Sequence, residues 1–198
     1  MQDTIALGDQ VRTVGAEVAR TALVTGIAAV LAGVALVLLF TLGVPFGRVN
    51  DVLNAAIGVM SAILAIVVLR SLGGSPMWTA LAVAGAALTI IGSWLVMSGT
   101  TGFQLAGFVS ASGFALIGGW LLVSIVSGPL GESIPTLEAR IGWVAGGLMV
   151  VGILGLAGVA MQIDSMADTP WWLWLYGIGW LGTYVVYPVW CLLVARSA

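Results

Sequence analysis

Residues 71–131 read SLGGSPMWTALAVAGAALTIIGSWLVMSGTTGFQLAGFVSASGFALIGGWLLVSIVSGPLG, without one charged side chain. So long a stretch is too much for one bilayer crossing, since about 20 apolar residues suffice for a helix to traverse the hydrocarbon core. Gly99-Thr100-Thr101-Gly102 divides it in two, as a tight polar turn does. Elsewhere the charged residues are the punctuation. Uncharged runs fill 21–47 between Arg20 and Arg48, 52–69 between Asp51 and Arg70, 141–163 between Arg140 and Asp164, and 169–195 between Asp168 and Arg196. The pattern predicts an all-α fold, a six-helix transmembrane bundle, with spans near 21–43, 51–71, 76–98, 103–126, 139–162 and 171–195.

Composition agrees. The 198 residues are 61% hydrophobic and 7% charged, with mean hydropathy +1.16. Soluble domains carry about 25% charged residues, so the bilayer is the expected solvent and the lipid bilayer the first expected partner. Gly73-Gly74-Ser75-Pro76 separates the second and third spans, and Thr169-Pro170 opens the sixth. Pro suits a helix start, where its missing N–H costs nothing. Asn50 or Asp51 is placed to cap the second span.

Residues 20–198 therefore form the six-span domain, and 1–19 a short amphipathic N-terminal helix. In that segment Leu7, Val11, Val14 and Val18 recur at helical spacing, with Asp9, Arg12 and Glu17 on other faces. The acidic opening lacks the basic region of a cleavable signal, so the first span is expected to be retained. Arg12, Arg20, Arg70, Arg140 and Arg196 fall on the side of the termini, and Arg48 alone on the other. That asymmetry predicts a multi-pass protein of a bacterial inner (cell) membrane with both termini cytoplasmic.

Missing residue types restrict the chemistry. The chain has no lysine, no histidine and one cysteine, Cys191. Schiff bases and phosphate-loop lysines are excluded, as are histidine ligands to haem or zinc, iron–sulfur clusters and Ser–His nucleophiles. No span carries a carboxylate at mid-depth, where proton relays need one. A net charge of −2 gives nucleic acid no footing. No enzyme activity, metal or cofactor is expected, and a lipid-modifying enzyme ranks third among the function classes.

The remaining features concern packing and binding. Gly142 and Gly146, continued by Gly147, Gly152, Gly155 and Gly158, give the fifth span a small-residue face. Such a face holds a bundle together or serves self-association or a membrane-protein partner. Ala28 and Ala32 are spaced alike in the first span. In size, helix count and this Ala-x-x-x-Ala pattern the chain resembles the substrate-binding S-components of energy-coupling-factor vitamin transporters. The resemblance implies docking of a coupling subunit on Ala28 and Ala32.

Trp78, Trp143 and Trp190 at one interface and Trp171, Trp172 and Trp174 at the other fit aromatic belts. Trp94 and Trp120 each follow an Ile-Gly-x step, which suggests rings packed over glycine. In the sixth span Tyr176, Trp180, Tyr184 and Tyr187 share one helix face, ahead of a kink expected at Pro188. That face either packs on the fifth span's glycines or lines a pocket for a small amphiphilic ligand. At the rim, Arg48, Asn50 and Asp51 cluster with Asn54 one turn deeper, and Arg48 is expected to pair with Asp164 or Asp168. The candidate ligand or partner residues are thus Arg48, Asp51, Asn54, Tyr176, Trp180 and Tyr184. The leading expectation is a non-catalytic accessory or assembly subunit, or a binder of a small lipophilic ligand. The alternative is a small transport protein, S-component-like or a uniporter, with an outward-facing site.

Overall fold

The computed structural model describes residues 2–43 and 45–197, with side chains from residue 15 onward. Six helices are long and apolar enough to cross a membrane: Gly15–Leu42, Phe46–Leu72, Pro76–Met97, Phe103–Val126, Thr136–Ala160 and Trp171–Ser197. No strand occurs among the described residues. The all-α six-helix bundle read from the sequence is the observed architecture.

Each span packs on its sequence neighbours, and the sixth closes the ring against the first. The fourth is the most enclosed, gripped by the third and fifth. Small residues make this grip. A side chain at Gly118 would lie 2.9 Å from the Gly146 carbonyl, and one at Gly146 2.8 Å from the Gly118 carbonyl. Gly152 and Gly155 likewise lie against the Ala111 and Phe108 carbonyls. Helices approach this closely only where Cβ atoms are absent. Most of the fifth span's glycine face is therefore occupied within the chain, and Gly147 alone in that series has open space around it. Ala32 is also fully buried, so the Ala28/Ala32 pattern serves the interior.

Helix ends correct several expectations. The second span starts at Phe46, with Pro45 as its N-cap, so Asn50 and Asp51 are interior residues and not caps. Asp164 does not pair with Arg48. Its carboxylate accepts the backbone N–H of Gly102 at 2.6 Å and of Leu105 at 3.2 Å. An anion there satisfies donors that the first turn of the fourth span leaves orphaned, and it complements the helix dipole. Ser75 caps the third span, accepting from the N–H of Met77, with Pro76 in the first turn as expected. Trp94 is exposed toward lipid rather than packed over glycine, whereas Trp120 is buried.

The first helix runs unbroken from Gln2 to Leu42. Residues 2–14 thus continue the first span in backbone, while the Leu7, Val11 and Val14 side chains lie outside the described residues. At about 1.5 Å per residue, this helix exceeds the hydrocarbon thickness.

The fifth span tightens to a 3-10 helix at Val151–Leu154, and the sixth is more irregular still. It opens as a 3-10 helix at Trp171–Tyr176, becomes α at Gly177–Leu181, widens to a π turn at Gly182–Val186, and resumes α at Tyr187–Ser197. Pro188 is the physical cause nearest to hand. It has no N–H for the preceding turn, and its ring crowds the carbonyl four residues back, that of Tyr184. A wider turn relieves both problems, so the kink expected at Pro188 is expressed as a π turn just before it.

Candidate ligand-binding site

Asn50, Asp51 and Asn54 lie in the first turns of the second span and project inward, with 2%, 8% and 6% of their surfaces exposed. Amides there need partners, because acyl chains offer none. They have them. The Tyr184 hydroxyl donates to Asn54 Oδ1 at 2.8 Å, Asn54 Nδ2 donates to Asn50 Oδ1 at 3.0 Å, and Asn50 Nδ2 donates to the Ala32 carbonyl at 2.9 Å. Three bonds running in one direction tie the sixth, second and first spans together. The π turn carries Tyr184, whose Cβ rests at 3.2 Å from where a Gly33 side chain would begin.

Asp51 has no such partner. Among the described residues no hydrogen bond or ion pair reaches its carboxylate, although more than nine-tenths of the residue is buried. It lines a cavity of about 20 Å³ together with Asn50, Asn54, Ser110, Phe114, Trp180 and Tyr184. About 10–15 Å³ accommodates one water, so the space fits one small polar group. No basic residue lines it. The tally of free polar atoms is weighted toward acceptors: two carboxylate oxygens, and spare lone pairs on both asparagine oxygens.

An apolar groove of about 650 Å³ runs beside the cavity between the first and sixth spans, along residues such as Val34, Val37, Leu181 and Val189. Leu36, Trp180 and Tyr184 line both spaces. A polar recess and an apolar trough thus share one wall.

Of the residues singled out from sequence, Asp51, Asn54, Trp180 and Tyr184 converge on this cavity. Tyr176 stands one step away, buried edge-on against Phe108 at 4.8 Å and Trp180 at 5.1 Å. Arg48 lies apart. It is exposed and borders a second apolar groove between the first and second spans, with Leu31, Val34 and Val52. The aromatic face does not rest on the fifth span's glycines. Phe108 and Phe114 of the fourth span meet its rings, while Gly179 and Gly182 make the close approach to the fifth. Tyr187 turns to a separate partner, sharing a 2.9 Å hydrogen bond with Ser61.

No protein-family model matches this chain, and no curated protein or solved structure matches it. The site must speak through its own geometry. Sequence reading placed Asn50 in the rim cluster but left it out of the candidate ligand residues, because its position also suggested a cap. Ser110, Phe103 and Phe114 carried no signal at all, since they are ordinary residues of an apolar span.

Proposed function

We propose that this multi-pass membrane protein binds a small amphiphile, its polar head in the Asn50–Asp51–Asn54–Tyr184 cavity and its chain along the groove between the first and sixth spans. The shared wall of Leu36, Trp180 and Tyr184 carries the reading, because it joins a place for a polar group to a place for a hydrocarbon chain. Ligand sites commonly combine an apolar lining with a few convergent polar groups. Binding is favoured over passage by what lies beneath. Ile57, Leu64, Ile117, Trp120 and Leu121 are all fully or almost fully buried in one continuous core. Transport has one observation in its favour, the π turn next to the site, since such turns recur where helices move or bind. No catalytic step is part of the proposal, and the arginine distribution supports cytoplasmic termini.

The test is to purify the protein in mild detergent, extract bound small molecules, and identify them by mass spectrometry alongside Trp180→Ala. An amphiphile retained by the parent protein and lost from a folded Trp180→Ala supports the reading. Equal retention by both, or none by either, overturns it.

A further inference from the structure

We infer that the polar head which this site takes is a primary ammonium group, so that the ligand class is long-chain primary amines. The inference rests on the amphiphile reading above and adds the chemistry of the head. Asp51 is a carboxylate enclosed in the bundle with no cation beside it. A buried charge without a counterpart is costly, so a positive partner has a large advantage there over a neutral or negative one. The neighbours suit a cation equally well. Asn50 and Asn54 keep acceptor lone pairs, and Phe103, Phe114, Trp180 and Tyr184 line the same space with aromatic rings, which attract cations through their faces.

Size selects among cations. A cavity of about 20 Å³ admits a group the size of one water, as –NH3+ is, and has no room for three added methyl groups. Three donors of a primary ammonium also match the acceptors present, whereas a quaternary head donates nothing. An inorganic cation would satisfy Asp51 but would leave the groove without a role. Carboxylate and phosphate heads meet Asp51 with like charge, and Arg48 lines neither the cavity nor the groove to compensate.

The experiment uses the full chain in phosphatidylcholine nanodiscs and compares dodecylamine, dodecyltrimethylammonium, dodecanol, dodecanoate and sodium chloride by thermal unfolding and by native mass spectrometry. Dodecylamine is expected to bind and to raise the unfolding temperature, with the other four weaker by about tenfold or more in apparent affinity. Asp51→Asn should remove that preference. Should Asp51→Asn fail to fold, Gly107→Ala serves instead. Gly107 lines the cavity, and a methyl there meets only the Trp180 ring at 3.9 Å, so the variant should fold while occupying part of the space. It should weaken dodecylamine binding. Equal binding of dodecanol overturns the ammonium assignment but leaves the amphiphile reading standing. Equal binding of dodecyltrimethylammonium, or a preference unchanged in Asp51→Asn, also overturns the assignment. Failure of all four amphiphiles overturns both readings, and an effect of sodium chloride equal to that of dodecylamine makes the site one for inorganic cations.

Discussion

Replacing Tyr184 with Phe deletes one oxygen and nothing else, which makes it the sharpest probe of the polar chain. The hydroxyl donates to Asn54 Oδ1 at 2.8 Å, and that amide in turn donates to Asn50 at 3.0 Å. Tyr184→Phe removes one bond and should cost about 1 kcal/mol, the usual net worth of a hydrogen bond. Interhelical polar contacts in membranes average about 0.6 kcal/mol and reach about 1.7. Asn54→Leu keeps a similar volume but removes two bonds, stranding the Tyr184 hydroxyl and the Asn50 oxygen. Leaving buried groups unpaired costs about 1–3 kcal/mol each, so the expected loss is about 2–6 kcal/mol. The double variant strands only the Asn50 oxygen. It should therefore be less destabilised than the two single losses summed, by about 1 kcal/mol. Unfolding all four proteins in a detergent titration measures this coupling. Additivity within about 0.3–0.5 kcal/mol, the behaviour of independent sites, would refute the chain of bonds.

Asp164→Ala should cost about 0.5–2 kcal/mol, as lost N-caps do, because it strips two backbone donors of their acceptor at the start of the fourth span; thermal unfolding reads it directly. Gly118→Leu should abolish folded protein in a detergent chromatography assay, since even a Cβ would lie 2.5 Å from Met149 and 2.9 Å from the Gly146 carbonyl. Gly147→Ala is the control and should be neutral, having nothing within 4 Å. A C-terminal reporter active only outside the cytoplasm should stay silent, because five of the six arginines lie on the side of the termini; strong activity would invert the topology.

The spans were legible because bilayer physics writes them coarsely: charges at the ends, apolar residues between, glycine and proline at the turns. What the sequence hid was direction around each helix. Gly142, Gly146, Gly152 and Gly155 read first as an inner packing face, but nothing in their spacing excluded an outer docking face. In a lipid-facing bundle both sides are apolar, so hydropathy does not distinguish them. The fate of Asp164 was hidden for another reason. A carboxylate in a short loop can meet Arg48 or a helix N-terminus, and the backbone donors that won are invisible in a list of side chains. Asn50 and Asp51 misled because capping is the commonest use of Asn and Asp near a helix start, and the helix began several residues earlier than the charges suggested.

One cluster of departures lies in a single region, and that is itself evidence about the molecule. Local rules and global fold agree over most of the chain, as they must for a sequence to specify one structure. Around Asp51 they disagree repeatedly: a carboxylate and two amides inside a span, a π turn in the facing helix, and a cavity where close packing would serve stability better. Leucine at 51 or 54 would remove the penalty for enclosing polar groups in hydrocarbon. The fold instead holds both amides with three aligned bonds and leaves the carboxylate open to the cavity. Were the cluster only structural, the fourth partner that Asp51 lacks would be the easiest part to supply, since one serine hydroxyl already lines the same cavity at Ser110. Among the described residues no protein donor takes the Asp51 carboxylate, which leaves its lone pairs to a donor that enters the cavity.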